Sequence, residues 1–243
     1  MTVPNANLAP DAPDASTPSS PDVTALTEDL ALALLKRGDL LSDDIEKISK
    51  NAAVMQSRKV RLDLAAHSHA PRRIALRLIR ELYTFDLMKF AQLPAVAADL
   101  KRTADELLIA RAASITLGER ISLARRSSAL VVAALLLDKE KSVWQTALEN
   151  PRLTETAIVK ALQHSQVSAS FVESISRHGK WAARPEIRMA LLRNQHTPLA
   201  RALEFARRLP PALLRDILHA SRLPEKIKAY LKQELQSKGK TNG

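Results

Sequence analysis

Residues 190–203, ALLRNQHTPLARAL, decide how this chain is to be read. A leucine-rich run is interrupted by Asn194, Gln195, His196, Thr197 and Pro198, then resumes. An imidazole beside a hydroxyl invites a catalytic interpretation, but the same five residues also describe a stop and a restart between two helices. Asn and His tolerate a reversal, Ser or Thr can accept from a free amide, and proline suits the first position of a new helix. Comparison within the chain favours punctuation. Residues 64–82, LAAHSHAPRRIALRLIREL, align with 191–209, LLRNQHTPLARALEFARRL. His69 matches His196, Pro71 matches Pro198, and Leu82 matches Leu209. A second pair follows each copy, DLMKFAQLP at 86–94 and DILHASRLP at 216–224, and a weaker copy is ALENPRLTETAIVKAL at 147–162.

Composition agrees with a helical chain. Of 243 residues 46% are apolar but only 3% aromatic, so Ala, Leu, Ile and Val must build the core, and strand-forming residues are scarce. Gly-rich phosphate loops are absent. With no cysteine there are no disulfides, thiolate metal sites or cysteine nucleophiles. The first Lys or Arg is Lys36, so the basic start of a secretory signal is missing. The longest apolar run, 129–137, is half a membrane span. These features predict a cytoplasmic protein without membrane association.

Apolar periodicity and capping residues predict helices over 27–37, 43–50, 56–67, 71–82, 86–91, 95–112, 118–126, 128–138, 141–149, 155–164, 169–177, 185–193, 198–208, 211–219 and 224–236. Residues 1–22, rich in Pro, Ala, Asp and Ser, are expected to be a disordered tail. Residues 23–60 are expected to form N-terminal capping helices, 61–236 a helical repeat array, and 237–243 a disordered C-terminal tail.

With these repeats the chain resembles HEAT-like and leucine-rich-repeat-variant α-solenoids. DKEKSVWQTALENP, 138–151, is similar to the second helix of a HEAT repeat, and RNQHTPLARALEFA and ENPRLTETAIVKAL are similar to the variant units. The resemblance covers roughly 60–236 and implies an all-α, right-handed α-solenoid. The cysteine-held iron–sulfur segment of some variant-family members has no counterpart here.

The net charge of +11 is uneven. Residues 1–60 hold six Lys/Arg against nine Asp/Glu, or −3, and residues 61–243 hold 31 against 17, or +14. A basic body points to an acidic or polyanionic partner, although arginines also solubilise helix faces. Arg73, Arg77 and Arg80 share one helix face, with Arg72 beside them. Arg201, Arg207 and Arg208 lie on the matching later helix, and Arg188 and Arg193 on the helix before it. Stacked in register, these side chains would make a binding stripe for an acidic protein segment. Nucleic-acid backbone is the alternative partner. Some HEAT-like proteins are alkylpurine DNA glycosylases with tryptophans around an aspartate; that resemblance implies possible aromatic contacts from Trp144 and Trp181, near Asp138 and Glu186. His67, His69 and His196 occupy turn positions with no further ligand nearby, so neither a metal nor another cofactor is expected. No nucleophile motif appears, and the expectation is a non-enzymatic scaffold.

Overall fold

The structure, a computed structural model, describes residues 26–241. The expected tail at 1–22 and residues 242–243 lie outside the described residues. Fifteen helices are present among the described residues, and no strand. They are α1 Glu28–Leu35, α2 Ser42–Lys50, α3 Arg58–Ala66, α4 Arg72–Glu81, α5 Thr84–Gln92, α6 Ala98–Arg111, α7 Leu117–Arg126 and α8 Ala129–Leu135. After these come α9 Lys141–Leu148, α10 Glu155–Gln163, α11 Ala169–Arg177, α12 Pro185–Arg193, α13 Leu199–Arg207, α14 Pro211–His219 and α15 Glu225–Thr241. Each corresponds to an expected helix. A 3₁₀ turn at Val54–Gln56 precedes α3. The last helix runs five residues past the expected end at 236, to Thr241, and takes in part of the expected C-terminal tail.

Local chemistry explains most starts. The hydroxyls of Thr27, Ser57, Ser128, Thr154 and Ser168 accept the amide of the third helical residue, and Thr116 with Glu119 forms a reciprocal capping box. Prolines divide into two groups. Pro185 and Pro211 occupy the first helical position, while Pro71 and Pro198 sit one residue earlier with extended backbone. Thr197 does not cap α13; its hydroxyl donates 2.6 Å to the Leu191 carbonyl and closes the end of α12. Ser42, one residue before the expected start at 43, is the first residue of α2 and donates to the His69 carbonyl.

Every substantial packing contact among the described helices joins chain neighbours or next-but-one helices. The even-numbered helices form an unbroken series, α4 on α6, α6 on α8, α8 on α10, α10 on α12 and α12 on α14. Among the odd-numbered ones, α1 packs on α3, α3 on α5, α7 on α9 and α13 on α15. One aliphatic core runs between them from Leu26 to Leu231. No described helix is long and apolar enough to cross a membrane.

A recurrent side-chain staple sets this spacing. Asn150 and Asn194 are buried at the ends of α9 and α12. Each takes the amide of the residue two ahead on Oδ1, and Nδ2 donates to a carbonyl of an earlier helix end, Ala124 at 2.9 Å and Leu162 at 2.7 Å. Ser221 repeats the arrangement, accepting from Leu223 N and donating to the Leu192 carbonyl. His67 does so with an imidazole: Nδ1 accepts from His69 N, so Nε2 carries the proton that reaches the Arg37 carbonyl. These bonds span 26 to 32 residues. The sequence alignment of 64–82 with 191–209 therefore pairs α3–α4 with α12–α13, two turns of opposite parity.

Asn194→Ala would strand a buried carbonyl and a buried amide. It is expected to cost about 2–3 kcal/mol in urea unfolding, with Asn194→Asp no better because a carboxylate cannot donate to Leu162. Loss of under about 0.5 kcal/mol in both would remove the staple as a determinant of the fold.

Candidate functional site

The arginines singled out in the sequence fall into two groups. Arg72 pairs with Asp99 of α6 and Arg73 with Glu46 of α2, so both bridge neighbouring helices. Arg188 donates to the Ala182 carbonyl, and Arg201 donates to the Ser176 carbonyl and pairs with Glu204. Both guanidiniums lie near the Phe205 ring, at 6.0 and 5.0 Å. Arg208 stands 3.6 Å from Glu204, and Arg207 is exposed. Arg77, Arg80 and Arg193 are exposed with no side-chain partner among the described residues. Of the helices that carry these arginines, α4 and α12 belong to the even series, whereas α13 packs on α12 and α15.

The unpartnered arginines share a position. Arg77 and Arg80 lie in the C-terminal half of α4, and Arg193 is the last residue of α12. A cation there faces the negative end of the helix dipole. Around Arg193 the staples bring three helix ends together: Asn194 ties α12 to α10, and Ser221 ties the turn after α14 to α12. The backbone amide of Arg222 also donates to the Arg193 carbonyl at 3.0 Å. Between these ends is a groove of about 180 Å³ lined by Arg193, Arg222, His164, His196, Gln195 and Ser165, and no carboxylate lines it. The His164 Nδ1 accepts from Gln166 N, which leaves its Nε2 edge to serve as a donor. Sequence reasoning missed Arg222 and His164, because their proximity to Arg193 follows only from the long-range bonds of Ser221 to the Leu192 carbonyl and of Asn194 to the Leu162 carbonyl.

Other arrangements carry no chemistry. Trp144 is 2% exposed and meets Phe171 edge-on at 5.4 Å; Trp181 is 3% exposed and donates its indole N–H to the Leu148 carbonyl. Neither ring presents a face for a bound base, so the expected aromatic contacts are core residues. Asp138 is occupied by Arg120 at 3.1 Å. Ser174, His178 and Glu149 line a second cleft of about 490 Å³ at the ends of α9 and α11. His178 Nε2 reaches Glu149 at 3.1 Å, but its Nδ1 has no partner, so no serine is activated by it. His67 and His69 are turned towards the Arg37 and Leu40 carbonyls.

Asp105 on α6 is a buried carboxylate whose pKa is raised. Burial raises it first, the Ser128 hydroxyl bond at 2.7 Å opposes, and Glu106 adds repulsion; Oδ1 has no partner. No group of three or more His, Asp or Glu that could hold a metal ion is present among the described residues. Comparison of the chain with known protein families, characterised proteins and solved structures finds no match.

Because Asp105 holds its proton more tightly when folded, its contribution to stability falls as pH rises from about 3.9 through its raised native pKa. Asp39, Glu46, Glu119 and Glu225, whose partners lower their pKa values, act in the opposite sense, so total stability alone is uninformative. Asp105→Asn is expected to stabilise relative to the parent by an amount that grows between pH 4 and pH 7 in urea titrations. A pH-independent difference would contradict the assignment.

Proposed function

We propose that this chain is a non-enzymatic helical-repeat scaffold, a right-handed α-solenoid, that binds an acidic protein segment along the C-terminal edge of its even-numbered helices. The next-but-one packing and the staples at 26 to 32 residues support the solenoid. The observation that carries the binding role is the groove at the ends of α10 and α12, where Arg193 and Arg222 stand without a partner and without a carboxylate in the lining. Many other arginines are taken up by carbonyls or acids of the fold, as Arg58, Arg72, Arg111 and Arg201 are; here two guanidiniums and two imidazoles line one groove. Guanidinium forks make bidentate, charge-assisted bonds to carboxylates, which suits Asp- or Glu-rich protein.

The direct test is fluorescence anisotropy with a labelled oligo-glutamate peptide and, in parallel, a random-sequence DNA duplex across a salt series. The peptide is expected to bind the parent and to lose roughly tenfold or more in affinity with Arg193→Glu/Arg222→Glu, one charge-assisted bond being worth about 1.5–3 kcal/mol. Binding of the peptide that is indifferent to this double variant would refute the groove. Tighter binding to DNA with a steep log-linear salt slope would replace the acidic segment by a phosphate backbone.

A further inference from the structure

The chain contains two Trp, two Tyr and four Phe. Trp144, Trp181, Phe90, Phe171 and Phe205 are in the core. Of the three left exposed, Tyr83 and Phe85 flank a single residue at the start of α5, at 57% and 44% exposure. The local cause is plain: Thr84 and Leu87 are buried, so the helix turns residues 83 and 85 outward. Gln92 at the end of α5 donates to the Arg126 carbonyl at the end of α7 at 2.7 Å, and the Glu119 pKa is lowered by the Thr116 amide and hydroxyl and also by Thr84. The two helices therefore lie alongside, and exposed Leu117, 43%, begins α7 on the side of α5. Three large apolar side chains are thus gathered on one side and left exposed by the described residues.

The rim is basic and held in place. The Arg58 guanidinium lies 4.5 Å from the Tyr83 ring centroid while its Nε and NH2 nitrogens donate to Asp86 at 3.0 and 2.8 Å. Arg61 stands 6.0 Å from the same ring, and Arg80 is exposed three residues before it. Asp86 is engaged by Arg58 and Glu119 by the amide and hydroxyl of Thr116, while Glu81 is exposed beside Arg80. A ligand therefore meets an apolar floor whose edge carries the guanidiniums of Arg61 and Arg80, neither of them in an ion pair among the described residues, against the carboxylate of Glu81.

We infer that Tyr83, Phe85 and Leu117, rimmed by Arg58, Arg61 and Arg80, form a second docking surface for a protein segment that carries bulky apolar residues flanked by Asp or Glu. Tyrosine, phenylalanine and arginine are the side chains that interface cores enrich. Arginine over tyrosine also pre-organises the ring at little entropic cost to binding. Nucleic acid fits poorly, because one face of Tyr83 is occupied by Arg58, and Phe85 and Leu117 offer no track for phosphates. This surface is separate from the groove at Arg193, and the inference does not depend on it.

The test is selection of displayed random peptides on the immobilised full-length chain, followed by titration of the enriched peptide against variants whose folding is checked by circular dichroism. Enriched peptides are expected to combine Phe, Trp, Leu or Ile with acidic residues. Their affinity is expected to fall roughly tenfold or more with Phe85→Ser and with Leu117→Ser, to persist in Phe85→Tyr, and to be unchanged by Arg193→Glu/Arg222→Glu. Peptides lost only with the Arg193/Arg222 variant belong to the groove and overturn this inference while leaving the proposed function intact. No enrichment, acidic peptides without apolar residues, or binding indifferent to Phe85→Ser also overturn it.

Discussion

The structure depends on a buried amide that serves two masters. At the end of α12, Asn194 takes an amide of its own turn on one atom and gives a hydrogen to the end of α10 with the other. A helix terminus leaves carbonyls without intrahelical partners, and burying them unsatisfied is expensive. Asn150, Ser221 and His67 solve the same problem with three different side chains. What the positions share is geometry: one group that accepts locally and donates about thirty residues back. Aliphatic packing supplies most of the stabilisation, but it is non-directional. The staple fixes which helix end lies beside which.

That arrangement decides the fate of the arginines. A helix whose neighbours come from adjacent repeats offers carbonyls and acids at fixed offsets, and long cationic side chains fill them. Arg58 reaches Asp86, Arg72 reaches Asp99, and Arg111 donates to the Leu82 and Arg80 carbonyls. Exposed pairs of this kind add about 0–1 kcal/mol each, so they organise the surface more than they stabilise the fold. Among the charges left over after this internal use are those of Arg77, Arg80, Arg193 and Arg222. A net charge of +11 thus overstates the surface open to a partner, and its location could only be found by subtraction.

The tryptophans carry the same lesson from the apolar side. Trp144 and Trp181 stand beside acidic residues in sequence, which suggested a lesion-binding pair, yet both rings are enclosed and Trp181 spends its polar atom on Leu148. The aromatics that do face outward, Tyr83 and Phe85, lie in an unremarkable stretch, LYTFD, whose period is ambiguous until Thr84 and Leu87 are seen to point inward. Rarity of aromatics was visible in the composition; which of them were exposed was a matter of helix phase.

By itself the sequence determined the helical class and the place of all fifteen helices, because caps, breakers and apolar period act within a few residues. It also marked NQHTP as a junction, since a stop and a restart are written in residues that touch one another. Only the tertiary structure decided that Asn194 and Ser221 are equivalent, that α4 and α13 lie in different series, and that Arg193 meets Arg222 across a groove. Those relations join residues 26 to 32 positions apart or more, through hydrogen bonds whose partners are backbone carbonyls. A carbonyl is the same at every residue, so nothing in the letters of the sequence identifies which one is bound.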